Sequence, residues 1–236
     1  MKVLIHGKNL EGIEPLVKKL GFEIVQKDPE LIIAYGGDGT LLSSERLYPG
    51  IPKLPMRNSA VCKKCLKHHE QTVLELLQKG KLKQKEYRKL QTSVLFKDLF
   101  ALNDFVIRNG SPIHTIRFKV SVNGKSTKLL IGDGVVISTP WGSTGYFKSI
   151  TGKDFDKGYA LAFNNTTEKA NLLYLKNSDI VSFQIIRGKA TLSWDNNPDI
   201  FNIDEASELK FSLSDKVAKI LEPETLRCSD CKVTRG

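Results

Sequence analysis

No stretch of the 236-residue chain approaches the roughly 20 consecutive apolar residues that a membrane-spanning helix needs. The amino terminus, MKVLIHGKN, lacks the long apolar region of a secretory signal and reads as a short strand. Both absences point to a cytoplasmic chain. Internal repeats and low-complexity linkers are missing as well. Acidic residues are in short supply: 26 Asp and Glu face 36 Lys and Arg, a formal net charge of +10. Such a balance suits nucleic acid, an anionic surface or a polyanionic small molecule. Much of the excess is local. Residues 61–90 hold nine Lys and Arg against three Glu, around the helical-looking stretch HHEQTVLELLQKGKLKQKEYRKL. That stretch reads either as a solvated helix face or as a polyanion site.

Cysteine is scarce and ordered. Its four copies fall into two C-x-x-C pairs, Cys62 with Cys65 and Cys228 with Cys231, with none left over. In a cytoplasmic chain this spacing indicates a structural Cys₄ zinc site more than disulfides. Unrelated thiol pairs or two separate surface knuckles are the alternatives, and His68 and His69 are reserve ligands. Four thiolates would leave zinc no open position for catalysis.

What is present begins with LIIAYGGDGTLL, residues 31–42. Leu31 to Tyr35 is too short for a helix, contains β-branched residues and is stopped by glycine, so it reads as a buried strand. Gly36, Gly37 and Gly39 let the chain turn sharply and aim backbone N–H groups at one point, an anion cradle. A helix starting at Thr40 would turn its positive end toward the same anion. A tight strand-to-helix turn with a solvated Asp38 is the plainer alternative.

Around this loop the first third alternates strand and helix: KVLIH, EGIEPLVKKLG closed by Gly21, FEIV, then LIIAY. The expectation is a small open α/β nucleotide-binding domain, residues 1–97, with its ligand crevice at the carboxyl ends of the strands. From about residue 92 the texture changes to closely spaced strands, TSVLF, FALNDFVI, IRFKVSV, TKLLIGDGVVIST, YALAF, IVSFQII, ATLSW and LKFSL. Asn123-Gly124 between two alternating runs signals a hairpin. The expected second domain, residues 98–212, is β-rich and sandwich-like.

Two further constellations stand out in that second part. Asn103 and Asp104 interrupt the apolar run FALNDFVI, where a polar pair must be hydrogen-bonded internally or serve a ligand. GDGVVISTPWGSTGYFKSITG runs a β-branched strand into Thr139-Pro140, with a helix expected to open at Gly142. Taken together, GGDGT, the Asn-acidic pair and D-G-x-x-x-S-T-P-x-G-S-T-x-Y resemble the NAD kinases, which phosphorylate the 2′-hydroxyl of the adenosine ribose of NAD. GGDGT alone has relatives in diacylglycerol and sphingosine kinases and in phosphofructokinases, whereas the long S-T-P-x-G-S-T-x-Y element is specific.

A ribose hydroxyl is a poor nucleophile, so a carboxylate must accept its proton as the phosphoryl group arrives. Asp38, the sole acid in the glycine loop, is the candidate base. Gly36, Gly37, Gly39 and Thr40 would cradle the donor phosphates and the dinucleotide pyrophosphate. The resemblance implies that Asn103 holds adenine, Asp104 the ribose hydroxyls, Asp133 the nicotinamide-side ribose, Thr144 and Tyr146 the bound dinucleotide, and Ser149 the adenine end. It also implies ATP with Mg²⁺ or inorganic polyphosphate as donor, and a homo-oligomer whose sites borrow residues from a neighbouring subunit. A C-terminal segment, residues 213–236, would return to the first domain. Departures are plain: Asp104 stands where Glu is usual, Trp141 replaces a small polar residue, Gly145 an alanine, and SITG a Ser-Ala-Gly-Gly run. LSWDNN keeps only Asp195 of an Asp-Gly-Gln element, and Trp194 reads as core. Trp141 reads as a base-stacking or a subunit-packing residue. The competing functions are a lipid or sugar kinase sharing the glycine loop, and a zinc-stapled nucleic-acid binding protein on an inactive kinase scaffold.

Overall fold

The structure is a computed structural model, and it describes residues 1–58, 69–168 and 170–222. All four cysteines, and His68, lie outside the described residues. The chain forms two compact units, Met1–Tyr87 with the segment that begins at Val217, and Arg88–Lys216.

In the first unit β1 (Lys2–Gly7), β2 (Glu23–Ile24), β3 (Leu31–Tyr35) and β4 (Lys53–Met56) are linked by α1 (Glu14–Lys19) and α2 (Asp38–Leu47), and α3 (Glu70–Gln78) follows. The strands pair in parallel in the order β2-β1-β3-β4. Parallel strands need crossovers, and α1 supplies one with Pro15 in its first turn and Gly21 just past its end at φ +81°. Every residue of β3 and β4 is buried. Val3, Leu31, Ile33, Leu54 and Met56 pack with Ile13 and Val17 before and within α1, and with Val73 and Leu74 of α3.

The second unit is almost all strand. β5 (Gln84–Val94) leads into β6 (Lys97–Ala101), then β7 (Asp104–Asn109), β8 (Ile116–Val122), β9 (Lys125–Ser126), β10 (Leu130–Gly132) and β11 (Gly134–Ser138). A 3₁₀ turn (Gly142–Thr144) and α4 (Tyr146–Thr151) precede β12 (Tyr159–Asn164), β13 (Leu173–Leu175), β14 (Val181–Arg187), β15 (Ala190–Trp194), β16 (Phe201–Ile203) and β17 (Glu208–Leu221). One antiparallel sheet runs β13-β12-β11-β7-β15-β16; the other carries β10-β8-β14-β17, with the β5-β6 hairpin beside β17. Phe105, Ile107, Val135, Ile137 and Leu192 of the first sheet meet Phe118, Val120, Phe183 and Phe211 of the second. Phe118 and Phe183 stack at 5.0 Å within this core. Phe147 of α4 covers the other face of the six-stranded sheet through Val106, Val136, Ala160 and Ala162. Both faces being covered, β11 is buried throughout and reads as a continuous apolar run.

The α/β plus β-rich architecture is therefore as read from the sequence, and the C-terminal return is made by β17, whose Ile220 pairs in parallel with Lys53 of β4. The divisions read from sequence, 97/98 and 212/213, lie ten and four residues from those of the compact units, which fall inside the continuous strands β5 and β17. The helix expected over residues 68–90 stops at Gln78; Gln84 onward is strand, which pairs with β17 and, along Leu90–Val94, with β6. FALNDFVI is two strands broken at Leu102 and Asn103, and the run through 130–138 is broken at Asp133. Asn123 and Gly124, at φ +50° and +82°, make the expected tight hairpin between β8 and β9. Among the described residues no helix is long and apolar enough to cross a membrane.

Candidate active site

In the first unit the described residues that follow β1, β3 and β4 meet at the carboxyl ends of those strands. Gly36 donates its N–H to Met56 carbonyl at 2.8 Å, and Asn58 Nδ2 donates to Lys8 carbonyl at 3.1 Å. Helix α2 begins two residues before the expected Thr40, so Asp38 occupies its first turn and Gly37 its N-cap. Thr40 and Leu41 donate their N–H groups to Gly37 carbonyl, leaving the Asp38 N–H ahead of the helical ladder, where the positive end of the helix dipole lies. Asp38 Oδ1 is buried and has no hydrogen-bond partner among the described residues. A buried carboxylate oxygen without a donor is costly unless a ligand or proton meets it.

The glycines differ in what they are for. A Cβ on Gly36 would overlap the Thr40 side chain, so only glycine lets the loop close over that threonine. Gly37 faces open space at an ordinary φ of −99°, which keeps backbone accessible without being required by the fold. Behind the loop, Ser43 Oγ donates to Thr40 carbonyl at 3.0 Å and takes a hydrogen bond from His6 Nε2 at 2.7 Å. Burial, then the Arg46 charge, holds the His6 imidazole below its ordinary range, which favours the neutral ring with its proton on Nε2. His6 was missed by sequence reasoning; its signal is a polar residue at the end of an apolar strand.

In the second unit Asn103 and Asp104 sit at the break between β6 and β7. Thr139 grips this break: its N–H donates to Asn103 carbonyl at 2.9 Å and its Oγ1 to Leu102 carbonyl at 2.5 Å. Gly142 N–H donates to Thr139 Oγ1 at 3.1 Å, and a Cβ on Gly142 would overlap the Asn103 backbone. The S-T-P-x-G signature is thus a clasp on the Asn-Asp turn. Asn103 Oδ1 is buried and unpartnered among the described residues. Asp104 is only 6% exposed. Burial, then the neighbouring Asp195 carboxylate, pushes Asp104 up to about 8. Asp195 accepts the N–H groups of Leu102, Asn103 and Asp104, so the residue with the poorest carry-over from the resemblance is tied directly to the pair.

The remaining predicted residues gather elsewhere in this unit. Asp133 Oδ2 accepts from Asn165 Nδ2 at 3.0 Å, Asp133 N–H donates to Asn164 carbonyl at 3.0 Å, and Tyr146 hydroxyl accepts from Asn164 Nδ2 at 3.3 Å. Asp133 precedes β11 whereas Ser138, the register partner of Asp104, ends it. Five strand residues separate the two groups by roughly 17 Å. Asp133 with the Tyr146 hydroxyl does not join Asn103 and Asp104 within one chain. Thr144 lies in the 3₁₀ turn, where an α-helix was expected, and Ser149 is exposed with its hydroxyl on Tyr146 carbonyl at 2.7 Å. Trp141, between β11 and the 3₁₀ turn, is 4% exposed. Trp194 is core, stacked on Phe201.

The chain thus has two compact units, one α/β with a glycine loop at its strand ends and one β-rich with a clasped Asn-acid turn. The family model for the ATP-NAD kinase C-terminal domain matches residues 102–222, just over half of the chain. The chain belongs to the NAD kinase family. It is 37% identical to an NAD kinase of Sulfurisphaera tokodaii over 162 residues, 64% of this chain and 63% of that protein. It is 33% identical to an NAD kinase of Aquifex aeolicus over 159 residues, 63% of this chain and 58% of that one. The chain thus matches less than two thirds of the length of these relatives. Its fold matches that of an NAD kinase from Archaeoglobus fulgidus in complex with ATP at TM-score 0.78 and 18% identity, over 98% of this chain and 97% of that one. It also matches a yeast NADH kinase complexed with NADH at TM-score 0.83 and 15% identity, over 98% and 86%.

Proposed function

We propose that the chain is an NAD kinase, transferring a phosphoryl group from ATP to the 2′-hydroxyl of the adenosine ribose of NAD to give NADP. The observation that carries the reading is Asp38 Oδ1, buried and without a hydrogen-bond partner among the described residues at the positive end of α2. Asp38 accepts the proton of the hydroxyl as the phosphoryl group arrives. Gly36, Gly37, Gly39 and Thr40 shape the loop that holds phosphate, and Asn103 and Asp104 take the adenosine end. Mg²⁺ would come with the donor phosphates, whose oxygens are the hard ligands it prefers. When bound, it neutralises charge on the transferring phosphate.

The enzyme is a homo-oligomer under this reading. Its support is the separation of Asp133 and the Tyr146 hydroxyl from Asn103 and Asp104 along β11: the first group serves a site completed by a second copy. A structural zinc on Cys62, Cys65, Cys228 and Cys231 is proposed from their spacing alone, as is a cytoplasmic location from the sequence. The test is incubation of the purified chain with NAD, Mg²⁺ and either ATP or polyphosphate, with NADP measured by a dehydrogenase specific for it. NADP formation with ATP is expected; NADP formed with polyphosphate alone would reassign the donor, and none with either would overturn the reading.

A further inference from the structure

Leu102 and Asn103 lie between β6 and β7, whose first residue is Asp104, and three successive N–H groups, of Leu102, Asn103 and Asp104, meet one acceptor. Asp195 meets all three. Its Oδ2 accepts from Leu102 at 2.9 Å, and its Oδ1 accepts from Asn103 at 2.7 Å and Asp104 at 3.4 Å. Its own N–H donates to Asp104 carbonyl at 3.1 Å. The residue adopts φ +48°, a left-handed conformation that Asp tolerates better than most and that swings the carboxylate out of strand β15 and under the turn. Trp194, buried next to it and paired with Phe105, anchors that strand end. With the N–H groups on Asp195 and the Leu102 and Asn103 carbonyls on Thr139, the backbone of the turn is used up and its side chains are what remain for a ligand.

We propose that Asp195 is a positioning residue: its carboxylate fixes the turn that presents the Asn103 amide and the Asp104 carboxyl to the nucleotide. The inference rests on the reading of Asn103 and Asp104 as the adenosine-binding pair. Removing the acceptor would orphan three N–H groups at once, and the turn would have to move to rehydrate them. The groups facing the Asp195 carboxylate are Asp104 from β7 and the Lys89 ammonium from β5. Burial pushes Asp195 up to about 6 against the opposing pull of the three N–H bonds and Lys89. Because the Asp195 charge adds to burial in raising Asp104, the Asp104 carboxyl is biased toward its protonated form, which can donate to a ribose hydroxyl as well as accept from one.

The experiment compares wild type with Asp195→Asn and Asp195→Glu in the full chain, after melting curves confirm folding. Asn keeps the size but turns an N–H₂ toward a backbone N–H and removes the charge. Expected for Asp195→Asn is a Michaelis constant for NAD raised roughly tenfold or more with kcat changed less than about threefold, and partial recovery in Asp195→Glu. A second readout needs no catalysis: in ligand-free protein, carboxyl-carbon NMR should show Asp104 titrating at lower pH in Asp195→Asn than in wild type. A folded Asp195→Asn variant with unchanged Michaelis constant and unchanged Asp104 titration would overturn the proposal. If the variant does not fold, the wild type decides: the amide resonances of Leu102, Asn103 and Asp104 should shift together as Asp195 titrates, and amides that stay still would overturn it. Should the protein phosphorylate no NAD while Asp104 responds to Asp195→Asn, the positioning role stands and the NAD kinase reading falls.

Discussion

Asp38 is the proposed catalytic base, and its environment bears on the two readings open from sequence. A solvated acid in a tight turn would be hydrated or capped; instead Oδ1 is buried without a donor among the described residues. Asp38→Asn keeps shape and removes the proton acceptor, so turnover should fall on the order of 10²- to 10⁴-fold with the melting temperature unchanged. Turnover within about threefold of wild type would remove Asp38 from the base role. Asp38 stood out in the sequence because it lies among glycines after an apolar run, and Asn103 and Asp104 because they interrupt one. Asp195 was legible only as a remnant of a motif. Its work is done on backbone N–H groups far away in sequence, and no local spacing announces such a bond.

Strands and helices were legible where burial dictated them. β3 and β11 are buried on both faces and wrote continuous apolar runs. β5 misled because Gln84 to Arg88 is polar and largely exposed, which reads as a solvated helix, while its strand state comes from sheet pairing, with β6 along Leu90–Val94 and with β17. The turn of that hairpin gave no warning either. Leu95 and Phe96 occupy it at φ +48° and +63°, with side chains in solvent, where Asn-Gly would be the usual choice. Left-handed backbone costs an ordinary side chain about 1–2 kcal/mol. The double substitution Leu95→Asn with Phe96→Gly should therefore raise the melting temperature, by roughly 2–4 °C for each kcal/mol relieved. An unchanged or lowered melting temperature in a still-monodisperse protein would mean that the two apolar side chains stabilise the molecule through contacts of their own.

At the scale of the whole molecule, the family match falls on the second unit and its C-terminal strand, and the two-unit fold as a whole is shared with NAD and NADH kinases of low identity. The four cysteines are not explained by that resemblance. If they share one ion, its binding energy contributes to folding. Protein purified without a histidine tag should then carry one zinc per chain by elemental analysis, and Cys228→Ser should release it and lower the melting temperature while turnover per folded molecule persists. No metal, or two per chain, would break the shared-site proposal. The most direct test of the central claim reads the product itself. Phosphorus NMR of NAD incubated with the protein, ATP and Mg²⁺ should show a new phosphate monoester on the 2′-hydroxyl of the adenosine ribose, formed by wild type and greatly slowed in Asp38→Asn. A phosphate on any other hydroxyl, no new monoester, or equal rates in the two proteins would contradict it.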